Sequence, residues 1–418
     1  MKRPSLGSQK KVTVENLIGL GPDRLARILI GVAETRPDLK RRLRMELAAE
    51  QGPSALAAEI DKRLNSFETS RGKITWRQRP AFVRDLDALR VLIVERLAPM
   101  DGFAAIERLW HFMDVAHQVA KRYRERGGEL GAVFARAAGG LGRLLGQTEP
   151  GFAAASLVES LSKDPTAWKA WLPELLAEAP SAVAEDALRF MSERRGAVPG
   201  WISLIRQMAD AAEDVETFRA TYTADALQTP SIAAEVGRRY LAADRMEEAG
   251  EVLRAGAPRA MAPRGQSSDP DFDWETVWID YLDRVGQLDA AQSARWASFE
   301  RTLSAERARS FICRLGDFDD VEAATRAFEI AAGYPDFGAG LSFLMNWPAL
   351  PEAGRMVERR CDDMLVAPPD AELWAAKLRR RFPGAAHLLL RKAAAAASRR
   401  RDSKTCDRLT AEAETIDL

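Results

Sequence analysis

Cysteine is scarce in this sequence of 418 residues, and its three copies lie far apart. Cys313, Cys361 and Cys406 form no Cys-x-x-Cys pair. Disulfide frameworks and zinc knuckles need more numerous or more closely spaced cysteines, so the sequence excludes both kinds of site. So few cysteines fit a reducing compartment, and we expect the protein to be cytoplasmic.

Aromatic residues are also few, at 7% of the chain, and strand patterns are absent. No alternation of valine, isoleucine and threonine is bounded by the Asn-Gly or Asp-Gly turns that mark β-hairpins. Alanine, the strongest helix former, is abundant, as the run at residues 393–397 shows. The sequence therefore predicts an all-α protein.

Long hydrophobic runs are missing. No window of about 18 apolar residues offers a membrane span, so we expect no membrane partner. The first 11 residues are basic, but no apolar run follows them, and no signal peptide is predicted. We interpret residues 1–12 as a flexible basic arm.

The sequence motifs of common enzymes are absent as well. Neither Gly-x-Ser-x-Gly nor His-Glu-x-x-His occurs. Glycine clusters at residues 19–21 and 138–142 lack the following Gly-Lys-Ser/Thr and the preceding strand of a phosphate-binding loop. We therefore predict no catalytic and no cofactor-binding residue, and no cofactor.

Histidine occurs three times. His111, Asp114 and His117 have a spacing that invites a metal site, but on a helix the two histidines point about 120° apart. His117 shares an apolar stripe with Trp110, so we interpret it as a packed core residue. His387 lies in an apolar run and is interpreted in the same way. No metal ligand is predicted.

The order of helix signals predicts two parts. Residues 13–150 hold about six amphipathic stripes separated by proline or glycine, which indicates an N-terminal helical bundle. Pro150 and Gly151 mark the boundary. Residues 151–418 read as short helices with short breaks, which is typical of an α-α hairpin solenoid. The segment 258–273, rich in proline, glycine, serine and aspartate, is predicted to be an exposed loop.

A repeated turn supports the solenoid. Segments 244–249, 286–291, 316–321 and 348–353 begin with a turn former, carry an apolar residue at the third place and end on a small or β-branched residue. Their starts are 42, 30 and 32 residues apart, close to the 34-residue period of a tetratricopeptide repeat (TPR). We predict that each turn joins two helices of a TPR-like hairpin. We also expect the four third-place residues to be mostly buried: Met246, Leu288, Phe318 and Leu350.

Several segments carry a family resemblance, namely residues 20–26, 293–304, 315–322, 343–350 and 383–391. Together they resemble an uncharacterised bacterial family of all-helical proteins. The family's C-terminal repeats are similar to those of proteins that also carry a SWIM-type zinc finger. This chain lacks the cysteine and histidine ligands of that finger, so no zinc or nucleic-acid role is implied. The resemblance implies a TPR-like fold of unknown activity.

Charge is unevenly distributed although the chain is neutral overall. Residues 1–150 carry net +9, residues 151–376 net −15 and residues 377–418 net +6. Two basic segments are candidate binding surfaces, one of them interleaved with Trp76. Solvated helix surfaces, a tucked-in tryptophan and a capping helix pair are the alternatives. The candidate residues are Arg71, Lys73, Arg77, Arg79, Arg399, Arg400, Arg401 and Lys404.

Three functions remain open from the sequence. The leading hypothesis is a non-catalytic interaction scaffold that binds a protein or peptide partner in a helical-repeat groove. The acidic middle section would favour a ligand containing lysine or arginine. A nucleic-acid-associated protein that uses the basic ends is the second hypothesis, and an enzyme with an unrecognised site is the third.

Overall fold

The computed structural model describes residues 12–123, 128–193, 199–258, 271–364 and 366–417. Every regular element in these ranges is a helix, as the sequence predicts. The chain forms two compact units that divide after Tyr222. Residues 1–11 of the predicted arm and 259–270 of the predicted loop lie outside the described residues. The last two residues of that predicted loop, 272 and 273, begin the helix Phe272–Arg284. The predicted change from bundle to hairpins at residue 150 stays a prediction.

The first unit contains thirteen described α-helices, many of them opened by proline, whose fixed φ suits the first helical turn. The helices are α1 Val14–Ile18, α2 Pro22–Thr35, α3 Pro37–Gln51, α4 Pro53–Thr69, α5 Arg79–Val91, α6 Gly102–Asp114, α7 Ala116–Tyr123, α8 Glu129–Leu145, α9 Pro150–Lys163, α10 Pro165–Glu178, α11 Ser181–Glu193, α12 Trp201–Ala211 and α13 Val215–Ala220.

Helices of the first unit pack on their next-but-one neighbours. The helices α4, α6, α8, α10 and α12 form one such series, and α9 packs on α11. Aromatic side chains join three members of the series: the rings of Phe112 and Phe134 are 5.3 Å apart, and those of Phe134 and Trp171 are 5.5 Å apart. Stacking of alternate helices is the arrangement of an α-solenoid.

Glycines in α8 allow it to approach its neighbours closely. A Cβ added at Gly142 would lie 2.1 Å from the backbone carbonyl oxygen of Leu175 in α10. One added at Gly140 would lie 2.9 Å from a methyl group of Val94, in the π-helical turn Leu92–Leu97 that follows α5. The glycine cluster at 138–142 therefore serves helix packing.

The second unit contains eleven described α-helices. They are α14 Pro230–Ala242, α15 Met246–Ala255, α16 Phe272–Arg284, α17 Leu288–Thr302, α18 Ala305–Ile312, α19 Asp319–Gly333, α20 Phe337–Asn346, α21 Leu350–Arg359, α22 Pro368–Leu378, α23 Pro383–Arg399 and α24 Ser403–Glu414. Short 3-10 turns at Ala226–Gln228 and Cys361–Asp363 complete it.

All four predicted turns lie between two helices that pack on each other: α14 on α15, α16 on α17, α18 on α19 and α20 on α21. This part of the repeat prediction is confirmed. In three of the four, the alanine at the sixth place is fully buried: Ala249, Ala291 and Ala353. Its small side chain lets the two helices approach closely.

A common hydrogen bond closes three of these four turns and two further helix junctions. A residue with positive φ ends the first helix, and the next N–H donates to the carbonyl five residues back, which is the Schellman arrangement. The donor–acceptor pairs are Asp214 to Ala209, Arg245 to Tyr240, Gln287 to Leu282, Ala349 to Leu344 and Asp402 to Ala397. Five hairpins therefore use one turn, including two outside the predicted set.

The turn between α18 and α19 differs. It is longer, it lacks the Schellman bond, and its positive-φ residue is Phe318 (φ 79°) at the start of α19.

The expectation of four buried third-place residues is wrong: Phe318 is 87% exposed and Leu288 61%, while Met246 and Leu350 are half-buried. The buried residues of these hairpins lie instead further along the helices that follow the turns, such as Val252, Leu253 and Val357.

A buried polar cluster links α16, α17 and α18. Glu275 is 7% exposed; its carboxylate accepts a hydrogen bond from Ser298 at 2.6 Å and pairs with Arg301. Arg295, 2% exposed, pairs with Asp283. These partners offset the cost of burying the charges.

None of the helices in the described ranges is both long and apolar enough to cross a membrane.

Candidate functional site

The histidine and aspartate trio does not form a metal site. Helix α6 ends at Asp114 and α7 begins at Ala116, so the break at Val115 alters the predicted stripe. His117 is consequently exposed, which makes its interpretation as a core residue wrong. His111 lies 3.5 Å from Glu68, and no cluster in the described part of the chain has enough metal-ligating side chains to hold a metal ion.

His387 is a packing residue, as predicted. It is half-buried in α23, and its Nδ1 lies 3.1 Å from the backbone carbonyl oxygen of Ala413 in α24. The glycines at 19–21 likewise end α1 and begin α2, with φ 77° at Gly21. These residues shape helix junctions.

The loop at residues 70–78 contains three of the eight candidate residues, and Arg79 directly follows it at the start of α5. Three anchors hold it against the end of α7. Buried Ile74 donates its N–H to the carbonyl of Arg122 at 3.1 Å, and Nε of Arg122 donates to the carbonyl of Gly72 at 2.9 Å. Nη2 of Arg79, at the start of α5, donates to the carbonyl of Tyr123 at 3.0 Å. The loop therefore has a defined position.

These anchors create a cleft of 320 Å³ whose walls come from the loop and from α7. Arg71 and Lys73 contribute from the loop, and Lys121 and Arg122 contribute from the last turn of α7. Ser70 and Gln118 complete the lining. We name this site the basic cleft. None of the described residues that line it carries a carboxylate, so its electrostatic potential favours an anion.

Arginines stack on aromatic rings beneath the cleft. The guanidinium carbon of Arg63 lies 4.1 Å from the ring centre of Phe67, that of Arg79 5.0 Å from Tyr123, and that of Arg122 5.8 Å from Phe82. Burial lowers the pKa of Arg122, and the nearby charge of Arg63 lowers it further. An anion in the cleft would relieve this repulsion.

Trp76 is on the same loop and is 71% exposed, so the alternative of a tucked-in anchor does not describe it. The guanidinium carbon of Arg77 lies 5.1 Å from the centre of its ring. Arg79 points away from this surface because it is engaged with Tyr123. Of the four candidate residues in this segment, Arg71, Lys73 and Arg77 are exposed on the surface, and Arg79 anchors the loop.

The C-terminal candidate residues lie at the turn between α23 and α24. Arg399, Arg400, Arg401 and Lys404 are all exposed, and none of them forms an ion pair with another described residue. Arg408, one turn further along α24, pairs with Glu372 at 2.6 Å, and Lys392 in α23 pairs with Asp362 at 3.1 Å.

Two exposed features of the structure are not evident from the sequence. Lys121 and Arg122 complete the basic cleft, yet they are about fifty residues from the loop, and only the hydrogen bonds in the structure reveal the pairing. The second feature is the exposed side chain of Phe318 at the start of α19. Its place directly after Asp317, where a helix begins, was the available signal.

Comparison with known proteins gives a family and a repeat structure. Residues 7–194 and 176–406 match the model of a family of unknown function, DUF6880. No curated protein matches. A solved structure described as a circular tandem repeat protein with novel repeat topology and enhanced subunit contact surfaces has 17% sequence identity and a TM-score of 0.21. That alignment covers 92% of this chain and 88% of the other.

Proposed function

The chain belongs to the DUF6880 family of unknown function, and we propose that it is a non-catalytic, TPR-like interaction scaffold that binds a protein partner. Helical hairpin arrays commonly present such binding surfaces. The proposal includes a cytoplasmic location, which three cysteines without a disulfide support. The contact that we propose is at the turn between α18 and α19.

Exposed Phe318 is the observation that carries this proposal. Its side chain is 87% exposed, and Val321, one helical turn further on, is 64% exposed. Phenylalanine at φ 79° and ψ −38° is strained, and strain of this kind costs about 1–3 kcal/mol. Because the exposed ring gains little from burial to offset that strain, a role in binding accounts for it best.

The charges around Phe318 select the partner. Asp317, Asp319, Asp320 and Glu322 surround the two apolar residues, and none of the four forms an ion pair with another described residue. A helix N-terminus favours acidic residues, which explains some of this charge but leaves it available to a ligand. The fitting partner is a segment with lysine or arginine beside one apolar side chain, which would contact the ring of Phe318.

Peptide display tests the proposal with a defined probe. Random 12-residue peptides are selected on the full-length chain and counter-selected on the Phe318→Ala variant. We expect the enriched peptides to combine basic residues with an apolar anchor. Removal of an interface anchor costs about 2 kcal/mol or more, so their affinity for the variant should be at least roughly 30-fold lower.

The matched control is Leu373→Ala in α22, because Leu373 is also a large apolar side chain in the second unit and is 55% exposed. Peptides should bind this control as they bind the wild type. Enrichment of acidic peptides, or equal loss of binding in both variants, would contradict a docking surface at Phe318.

A further inference from the structure

The basic cleft contains an excess of charge that the fold itself does not use. Of its four cations, Arg71, Lys73 and Lys121 are exposed, and no ion pair connects any of the four to another described residue. Elsewhere in the first unit arginines do find carboxylates, as Arg108 pairs with Asp61 at 2.8 Å. The cleft is therefore a set of cations without a counter-charge among the residues that the structure describes.

Hydrogen bonds hold the backbone that carries these cations in place. Ile74 is buried, and the two hydrogen bonds between the loop and Arg122 run in opposite directions, so the loop is joined to the end of α7 on both sides. A loop that is already ordered binds an anion at a smaller entropic cost than a loop that must first be ordered. Four positive groups in one cleft also suit a ligand with several negative charges.

The lining excludes one class of ligand. Sites for drug-like small molecules are lined mainly by hydrophobic and aromatic side chains. The six residues that line the basic cleft are all polar or charged, so charge and hydrogen bonding must supply the affinity. A polyanion whose charges extend beyond the cleft meets this requirement.

Trp76 distinguishes among polyanions. An acidic peptide or a lipid headgroup would use the cations alone, whereas single-stranded nucleic acid also places its bases on exposed aromatic rings. The ring of Trp76 is 71% exposed and is on the same nine-residue loop as Arg71 and Lys73. Cations that follow a phosphate backbone beside an aromatic platform are the two components of single-strand binding.

We propose that the basic cleft binds single-stranded nucleic acid, with phosphates on Arg71, Lys73, Lys121 and Arg122 and one base stacked on Trp76. This function is additional to partner binding at Phe318 and depends on different residues in the other unit. Arg122 also acts as a positioning residue, because its hydrogen bond to Gly72 holds the loop.

Fluorescence anisotropy of labelled 20-nucleotide dT and rU oligomers tests the proposal on the full-length chain between about 50 and 200 mM salt. In the triple variant Arg71→Gln, Lys73→Gln and Lys121→Gln, three phosphate contacts are lost. For single strands each contact contributes about 0.7 to the slope of log affinity against log salt, so the slope should become shallower by about 2. At about 0.1 M salt the affinity should fall roughly 100-fold.

A matched control removes the same charges elsewhere on the first unit. Arg24, Lys40 and Lys169 are exposed and make no ion pair with another described residue, so the triple variant with glutamine at these positions has the same net charge. We expect its slope and affinity to stay near the wild-type values. Equal losses in the two triple variants would overturn the proposal, because they would show an effect of net charge alone.

Trp76→Ala tests base stacking separately from charge attraction, because it removes the aromatic ring and changes no charge. Loss of one stacked base should lower the affinity about 5- to 150-fold while leaving the salt slope unchanged, and Trp76→Phe should restore part of the affinity. Circular dichroism should show unaltered folding, since the ring is exposed. Wild-type affinity in Trp76→Ala would overturn the proposal for single strands.

Competition identifies the class of polyanion. A 20-residue polyglutamate peptide and vesicles with anionic lipids should compete poorly with the oligomers, and efficient displacement by either would overturn the assignment. Binding of dT or of rU with the dependences described above supports it, and the tighter of the two indicates the natural sugar.

Discussion

Four glycines of α8 give a graded test of how the first unit packs. The space around each glycine differs: a Cβ at Gly131 meets nothing within 4 Å, and one at Gly139 lies 3.4 Å from the carbonyl oxygen of Glu174. At Gly140 the nearest atom is the Val94 methyl group at 2.9 Å, and at Gly142 it is the Leu175 carbonyl oxygen at 2.1 Å. Substitution by alanine adds the same methyl group at all four positions.

The magnitudes follow from two opposing effects. Alanine in place of a helical glycine stabilises by about 0.5–1 kcal/mol, and by somewhat less in the first turn, where Gly131 lies. Gly131→Ala should therefore raise the free energy of unfolding by about 0.5 kcal/mol, and Gly139→Ala should be close to neutral. Overpacking costs about 1–3 kcal/mol. A side-chain methyl can shift, so Gly140→Ala should lose about 1 kcal/mol.

Gly142→Ala should be the least stable member of the series. The obstructing atom belongs to the backbone of α10 and cannot rotate away, so α8 and α10 must separate by about 1 Å and lose packing. We expect a net loss of about 2 kcal/mol. Buried Trp168 and neighbouring Trp171 in α10 report on this interface, so urea unfolding followed by tryptophan fluorescence measures it. A Gly142→Ala protein as stable as Gly139→Ala would refute the close approach.

Three further predictions concern single side chains. Phe318→Gly should raise stability by about 1 kcal/mol in urea unfolding, because glycine accepts φ 79° and an exposed ring is lost. Glu275→Gln should lower it by about 1–3 kcal/mol, since the buried Glu275 loses its ion pair with the partly exposed Arg301, and a neutral result would show that the pair adds nothing. Burial raises the pKa of Asp87, but hydrogen bonds from arginines such as Arg90 outweigh it, so the pKa is lowered overall. Asp87 pairing therefore stabilises the fold above about pH 4 and is lost as the pH falls through the lowered pKa. The destabilisation by Asp87→Asn should shrink over that range in unfolding curves, and a pH-independent effect would refute it.

Local chemistry made most of the fold predictable. Prolines at 22, 37, 53, 150 and 165 each begin a helix, as their fixed φ requires. The four turn segments each separate two helices, and in three of them a positive-φ turn residue and a buried alanine recur at the same places. These features depend on residues only a few positions apart.

Three features of the structure could not be predicted from sequence patterns. The exposure of His117 follows from a helix break at Val115, which the apolar periodicity of the segment hides. Phe318 is exposed at the end of a turn that is longer than its three relatives, and Leu288 is exposed after a short one, so place in the sequence motif did not determine burial. The basic cleft needs Lys121 beside Lys73, and no spacing rule connects them.

Binding of a display-selected basic peptide to Phe318→Gly is the most direct test of the scaffold proposal. Its affinity, measured by fluorescence anisotropy, is compared with that of the wild type and of Leu373→Ala, and stability is measured on the same samples. We predict that Phe318→Gly is more stable than the wild type yet binds the peptide at least roughly 30-fold more weakly, while Leu373→Ala binds normally. Undiminished binding by the stabilised variant would contradict the proposal that Phe318 is retained for a partner.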